Sequence, residues 1–122
     1  MASPSIFNKQ ILSGSSNGRG IKVVATAATG TTIHTAVAGT TANTYDEIWL
    51  WAVNSDTLAR KLTIDYGGVT APDNNIEITI PPESGLFLIA PGLILRNTLV
   101  VTAWCATANV VMVYGYVNEI RP

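Results

Sequence analysis

The chain has one histidine, His34, which lies in the strand-like segment TTIHTAVA. Catalysis or zinc binding by this side chain would require Cys, Asp or Glu partners at suitable positions. Its neighbours, Ile33 and Thr35, supply none. A lone histidine in a strand is more often an interface or surface residue, so we expect no proton-transfer role for His34.

The carboxylates are dispersed along the chain. Asp46 and Glu47 are adjacent, so they point to opposite sides of a strand, and Asp65 and Glu77 lie on separate candidate strands. A glycosidase pair can come from anywhere in a chain, but nothing marks one here. The loop APDNN (Ala71–Asn75) offers oxygen ligands for calcium, yet its carboxylate density is low and it reads as a solvated turn. We predict no catalytic residue, metal or cofactor, and a chain that is not an enzyme.

The single cysteine, Cys105, lies in the apolar run LVVTAWCAT. It has no partner for a disulfide within the chain. A thiol in such a run usually behaves as a small apolar side chain. We expect Cys105 to be buried and inert.

The three tryptophans, Trp49, Trp51 and Trp104, have two possible roles. Exposed aromatic rings form sugar-binding platforms on β-sandwiches, whereas buried ones anchor a core or an oligomer interface. Because the strands around them are so apolar, core or interface anchors are the favoured interpretation.

The charge content is low and evenly spread. Lys and Arg number 7 against 8 Asp and Glu, and no basic cluster is available to neutralise phosphates, so nucleic acid is not expected to be a direct partner. Only 12% of residues are charged, against about 25% in typical soluble domains. This deficit predicts a protein whose surface is sheltered by assembly.

Neither a membrane span nor a secretory leader is expected. The uncharged segment 97–118 is long enough to cross a bilayer, but its threonines, valines and the turn-like ATAN favour two consecutive strands. MASPSIFNKQ lacks the basic start and apolar block of a signal peptide. We expect no membrane partner.

Hydrophobic alternation recurs in short runs separated by Gly, Pro, Asn, Asp and Ser. The candidate strands are GIKVVATA, TTIHTAVA, DEIWLWAVN, ARKLTIDYG, NNIEITIPP, GLFLIA, NTLVVTAWCA and NVVMVYGYVN. About eight short strands without a crossover helix predict an all-β fold. We predict a single-domain antiparallel β-sandwich, jelly-roll-like, with a small β-barrel as the alternative.

Some of these strands are apolar on both sides. KLTIDY and NIEITI have one polar side and are expected to be outer-wall strands, whereas DEIWLWAVN and the two C-terminal strands have none. In DEIWLWAVN, we expect Trp49 and Trp51 to pack in the sandwich because of their bulk. Ile48 and Leu50 would then meet another chain.

Residues 1–20 differ from the rest of the chain, which we assign to the sandwich domain (21–122). An apolar patch precedes the Gly- and Ser-rich stretch SGSSNGRG, which is typical of a flexible linker. We predict an N-terminal arm and linker that orders against another surface; an ordinary edge strand is the alternative. The predicted interface residues are Ile6, Phe7, Ile11, Leu12, Ile48 and Leu50.

The segments IHTAVAGTTANTYDEIWLWAVNSDTLARKLTIDYGG and IPPESGLFLIAPGLILRN resemble head decoration (cement) proteins of tailed bacteriophages. The resemblance covers Ile33 to Asn97 and lies in the general character of the sequence, without a diagnostic motif. It implies a compact β-rich domain, usually a homotrimer, that binds the major capsid protein on the outer capsid surface, stabilises the shell and carries no catalytic residues. It also implies a protein made in the bacterial cytoplasm and located in the virion.

Two other functions compete with this one. A receptor- or carbohydrate-binding β-sandwich module of a phage tail or fibre would need exposed tryptophans. A small hydrolase would need a carboxylate pair that the sequence does not mark out.

Overall fold

The computed structural model of the chain describes residues 6–39 and 42–121, with the backbone alone at Ile6 and Phe7. Strands account for the regular structure of these residues. In chain order they are β1 (Ile6–Ile11), β2 (Ile21–Lys22), β3 (Thr31–Thr35), β4 (Tyr45–Asn54), β5 (Arg60–Tyr66), β6 (Asn75–Ile80), β7 (Phe87–Leu95), β8 (Val100–Cys105) and β9 (Val111–Arg121).

The strands form two antiparallel sheets that pack face to face. Sheet I has the order β1-β9-β4-β7, with β2 also paired to β9, and sheet II has the order β3-β8-β5-β6. Each strand pair encloses the next one in sequence, as in one long antiparallel ribbon folded over on itself: the pairs, from the outside in, are β1–β9, β3–β8, β4–β7 and β5–β6. This nesting is the topology of a jelly roll. The predicted β-sandwich is confirmed, with nine strands in place of about eight, and the barrel alternative is wrong because the sheets do not close.

The core lies between the sheets and consists of aliphatic side chains. Burial alternates strictly along β4, as the pleat of a strand requires. Ile48, Leu50 and Ala52 have no exposed surface and meet side chains such as Ile64 and Val101 of sheet II. Cys105 is also buried in this core, as predicted.

The segment 97–118 forms β8, the connection to β9 and most of β9. The prediction of two consecutive strands is therefore confirmed. The described residues include no helix of a length and apolarity that would span a membrane.

The N-terminal segment belongs to sheet I. Ile6–Ile11 pairs with the C-terminal half of β9, and Ile21–Lys22 pairs with its N-terminal half. The two strands are thus parts of one edge strand, interrupted by a loop at 12–20 that places Leu12 in the core at 1% exposure. The prediction of an arm separate from the domain is therefore wrong for Ile6–Leu12, because main-chain pairing and core burial hold this segment on its own sandwich.

Sheet II only partly follows the predicted division between an inner and a wet side. Leu62 and Ile64 point inward as expected, and Glu77 on β6 is exposed. The outward side chains Thr63 and Asp65, however, are buried at 2% and 1% exposure. The expectation that this side of β5 is solvated is therefore wrong. β5 is a central strand between β6 and β8, and their side chains flank it on the outward side as well.

Candidate functional site

The two sides of β4 are oriented opposite to the prediction. Ile48 and Leu50 fill the core, while Trp49 and Trp51 are partly exposed on the outward side of sheet I. The inner layer around Ile48 and Leu50 is made of fully buried aliphatic side chains such as Ile64 and Val101. Medium-sized aliphatic side chains fit this layer, so the bulk of tryptophan did not decide the orientation.

The outward side of sheet I carries a continuous set of apolar side chains from four strands. Strand pairing places Tyr116 beside Trp49 and Tyr114 beside Trp51, with residues of β1 and β7 on the flanks. We call this set the aromatic surface: Ile11, Trp49, Trp51, Leu88, Tyr114 and Tyr116. The exposures of Ile11, Leu88 and Tyr114 are 51%, 47% and 38%. Contiguous exposed apolar patches of this kind mark interaction sites.

Three rings at the centre of the aromatic surface stack on one another. The centroids of Trp49 and Trp51 are 6.1 Å apart, those of Trp49 and Tyr116 6.3 Å, and those of Trp51 and Tyr116 6.0 Å. The angles between ring planes are 16° to 29°. These distances lie within the range of offset-stacked pairs. Such stacking adds to the stability that the rings gain from the burial of their area. The rings therefore form one ordered unit.

Two charged side chains border this ring cluster. The ammonium group of Lys9 lies 4.4 Å from the ring centroid of Tyr116, a cation–π contact. In the same row of the sheet, Trp49 Nε1 donates to Glu47 Oε1 at 2.8 Å, and Asn118 Nδ2 donates to the same oxygen at 3.0 Å. These two hydrogen bonds lower the pKa of Glu47 below its usual value. The two charged side chains thus lie at the border of the apolar ring cluster and hold its rings in place.

The predicted interface residues separate into three groups. Ile11 lies on the aromatic surface. Leu12, Ile48 and Leu50 lie in the core at 0–1% exposure, so their assignment to an interface with another chain is wrong. The side chains of Ile6 and Phe7 fall outside the described residues. Sequence reasoning missed Tyr114, Tyr116 and Leu88, which only the pairing of β4 with β9 and β7 brings beside the tryptophans.

A second constellation surrounds His34, which is buried rather than exposed. Its Nε2 lies 2.8 Å from Asp46 Oδ2, and both side chains are about 5% exposed. Arg121 Nη2 contacts the other carboxylate oxygen at 3.1 Å. Burial raises the pKa of Asp46, but hydrogen bonds from His34 and Arg121, followed by the positive charge of Arg121 and of His34 when it is protonated, outweigh burial and lower it overall. Burial, together with the negative charge of Asp46, raises the pKa of the nearby Tyr66.

The His34 cluster also includes a serine, but it does not have the arrangement of a nucleophile triad. Ser13 contacts His34 Nδ1 through its main-chain N–H at 2.9 Å. Its hydroxyl oxygen accepts a hydrogen bond from the N–H of Thr35 at 2.7 Å. In a triad the hydroxyl itself gives its proton to the imidazole. The cluster is therefore suited to positioning, and the absence of enzymatic activity stays a prediction.

Two surface clefts lie at one end of the sandwich. One, of about 560 Å³, is mainly apolar and is lined by Tyr45, Leu95, Arg96 and neighbours. The other, of about 420 Å³, is lined by threonines and glycines together with Val69, Leu99 and Val100. The described residues lining these clefts include no His, Cys, Asp or Glu. Nor do residues 6–39 and 42–121 contain a group of three such side chains that would hold a metal ion.

Of the dispersed carboxylates, Asp65 and Glu77 lie diagonally on the outward side of the paired strands β5 and β6, since Asp65 is opposite Asn75 and Glu77 is opposite Thr63. Asp65 accepts from Asn75 Nδ2 at 2.6 Å, and Glu77 pairs with Lys61. In the candidate calcium loop, Asn74 Oδ1 accepts from the N–H of Thr70 within the turn itself. This geometry agrees with the prediction that the loop is a turn.

Comparison with known proteins finds no family model, no curated protein and no solved structure that matches this chain.

Proposed function

We propose that this chain is a structural virion protein, a decoration protein that forms a homo-oligomer, a trimer, and binds the major capsid protein on the outer surface of a phage head. Its action would be interfacial: it adds buried area between neighbouring capsid subunits and so stabilises the shell. The aromatic surface is the observation that carries the proposal, with the subunits of the oligomer packing against one another through it.

The low charge content of the molecular surface, rather than its size, supports an assembly. The isolated chain exposes 6506 Å², close to the roughly 6,300 Å² expected for a folded monomer of 12.9 kDa. The domain is thus as compact as a typical monomer of its mass. Only 12% of its residues are charged, so few charges are spread over a surface of ordinary area. A surface so poor in charge is better suited to contact with protein than with water.

The composition of the aromatic surface supports a protein partner. Tyr, Trp and Met are enriched at interface centres, and Lys and Glu are depleted there. Here the rings of Trp49, Trp51 and Tyr116 lie centrally, while Lys9 and Glu47 lie at their border. A specific interface buries about 1,600 Å² in total, a size that a face of four paired strands can supply.

Binding to heads tests the proposal. Heads of the encoding phage, assembled without this chain, are mixed with the purified protein and sedimented. We expect saturable co-sedimentation at a fixed number of copies per capsid subunit, together with a higher temperature of genome release. Heads that bind none of the protein would contradict a decoration role.

A carbohydrate-binding module is the second candidate, because the same ring cluster lies on the outward side of a jelly roll, a fold also used by lectin domains. A glycan array with the wild-type chain and Trp51→Ala separates the two. Glycan binding that disappears in Trp51→Ala while the circular dichroism spectrum stays native would favour the module. The decoration proposal expects no glycan signal from either protein.

A further inference from the structure

The loop between β1 and β2 crosses from sheet I to the edge of sheet II at Ser13 and Gly14. Gly14 N donates to Ile33 O at 2.9 Å, and the N–H of Thr35 donates to the hydroxyl of Ser13. Only glycine permits this approach, since a Cβ at residue 14 would overlap the main-chain oxygens of Thr32 and Ile33. The crossing thus covers part of the main-chain edge of β3.

His34 holds this crossing through a hydrogen bond that depends on its protonation state. A main-chain N–H can only donate, so the contact of Ser13 N with His34 Nδ1 at 2.9 Å requires an unprotonated Nδ1. The ring proton is then on Nε2 and is donated to Asp46 Oδ2 at 2.8 Å. Both nitrogens are satisfied in one tautomer of the neutral ring and in no other form.

We propose that His34 is an acid-sensitive latch that docks the Ser13–Gly14 crossing onto β3 when neutral and releases it when protonated. Protonation places an N–H on Nδ1 opposite the N–H of Ser13, so two donors face each other. The Thr35 N–H and Ile33 C=O of β3 lose their partners in the loop and become available to another strand. This inference is independent of the proposed function.

The charges around His34 make the effect local. Asp46 on β4 faces Nε2, Arg121 on β9 binds the other oxygen of Asp46, Glu119 lies 3.3 Å from Arg121, and Tyr66 on β5 is near Asp46. The lowered pKa of Asp46 keeps it ionised over the pH range, roughly 5 to 8, in which histidines titrate. A protonated His34 therefore keeps its contact with Asp46 and loses only the one with Ser13.

Hydrogen exchange of single amides by NMR between pH 8 and pH 5, corrected for intrinsic exchange, tests the latch. The chain has one histidine, so the titration of its imidazole can be followed without ambiguity in the same samples. We expect protection of the Ser13 and Gly14 amides to fall at least about fivefold as His34 titrates, the loss given by one typical hydrogen bond. The amides of Val23 and Cys105, bonded to Val111 O and Ala25 O, should keep theirs.

His34→Gln is the matched control, because its amide both donates and accepts but does not titrate in this range. The Ser13 and Gly14 amides of this variant should show the same protection at both pH values. The latch is wrong if wild-type protection at Ser13 and Gly14 does not follow the imidazole titration. It is also wrong if Val23 and Cys105 lose protection in parallel, or if His34→Gln keeps the wild-type pH dependence.

Discussion

The indole rings of Trp49 and Trp51 stack with their centroids 6.1 Å apart on the outward side of β4. Leu50, which lies between them in the sequence, points into the core with no exposed surface. The two sides of this strand therefore have different surroundings, and a substitution on the inner side should affect stability far more than one at an exposed site.

Leu50→Ala is expected to lower the free energy of unfolding by about 2–5 kcal/mol, since it deletes buried methyl groups and leaves a cavity. Leu58→Ala, at a site that is 60% exposed and outside the aromatic surface, should change it by no more than about 0.5 kcal/mol. Urea unfolding monitored by circular dichroism measures both. Equal effects of the two substitutions would show that the side of β4 carrying Leu50 is not the core side.

The orientation of β4 illustrates what the sequence could predict and what it could not. Alternation and turn residues indicate where most strands lie, so the all-β sandwich followed from local pattern, but they do not give the ends, since β7 continues through Pro91 to Leu95. DEIWLWAVN, however, is apolar on both sides, and either orientation satisfies the same pattern. The choice depends on the residues that β4 meets in the fold, such as Val117 on β9, more than sixty residues away, which local pattern does not reveal.

The buried polar residues were missed for a related reason. Asp46 is adjacent to Glu47 and reads as the polar start of a strand, yet its partners come from β3 and from Arg121 on β9. Asp65 alternates with apolar residues as a solvated residue would, but lies in a central strand. Only the strand order decides these cases.

Asp46→Asn should flatten the loss of stability in acid. Because the folded protein lowers the pKa of Asp46, folding favours the ionised form. The contribution of Asp46 is complete above its ordinary value of 3.8 and disappears as the pH falls through the lower, folded value. Thermal unfolding from pH 7 to pH 2 should show that the stability of the variant falls less steeply with acid. At pH 7 the free energy of unfolding of the variant should be lower than that of the wild type by about 3 kcal/mol. An unchanged slope would show that Asp46 is not a source of the acid dependence.

Thr102→Val is expected to be neutral or stabilising by up to about 1 kcal/mol. The Thr102 hydroxyl is buried without a hydrogen-bond partner, so replacing it by a methyl group of similar shape removes an unmet polar group. Thr31→Val is the matched control, because Thr31 Oγ1 accepts from the N–H groups of Val24 and Ala25 at 3.1 and 3.2 Å.

Thr31→Val should cost about 1 kcal/mol in the same urea unfolding experiment. If Thr102→Val cost as much as Thr31→Val, the Thr102 hydroxyl would have to be hydrogen-bonded in solution.

The most direct test of the account is the oligomeric state of the purified chain, measured by native mass spectrometry at micromolar concentration. We predict a trimer for the wild type and for Leu58→Asp, an equally apolar site that is 60% exposed outside the aromatic surface. Leu88→Asp, which places a charge on the aromatic surface, should give monomer with a native circular dichroism spectrum. A wild-type monomer, or a Leu88→Asp variant as oligomeric as the wild type, would contradict the claim that the aromatic surface joins the subunits.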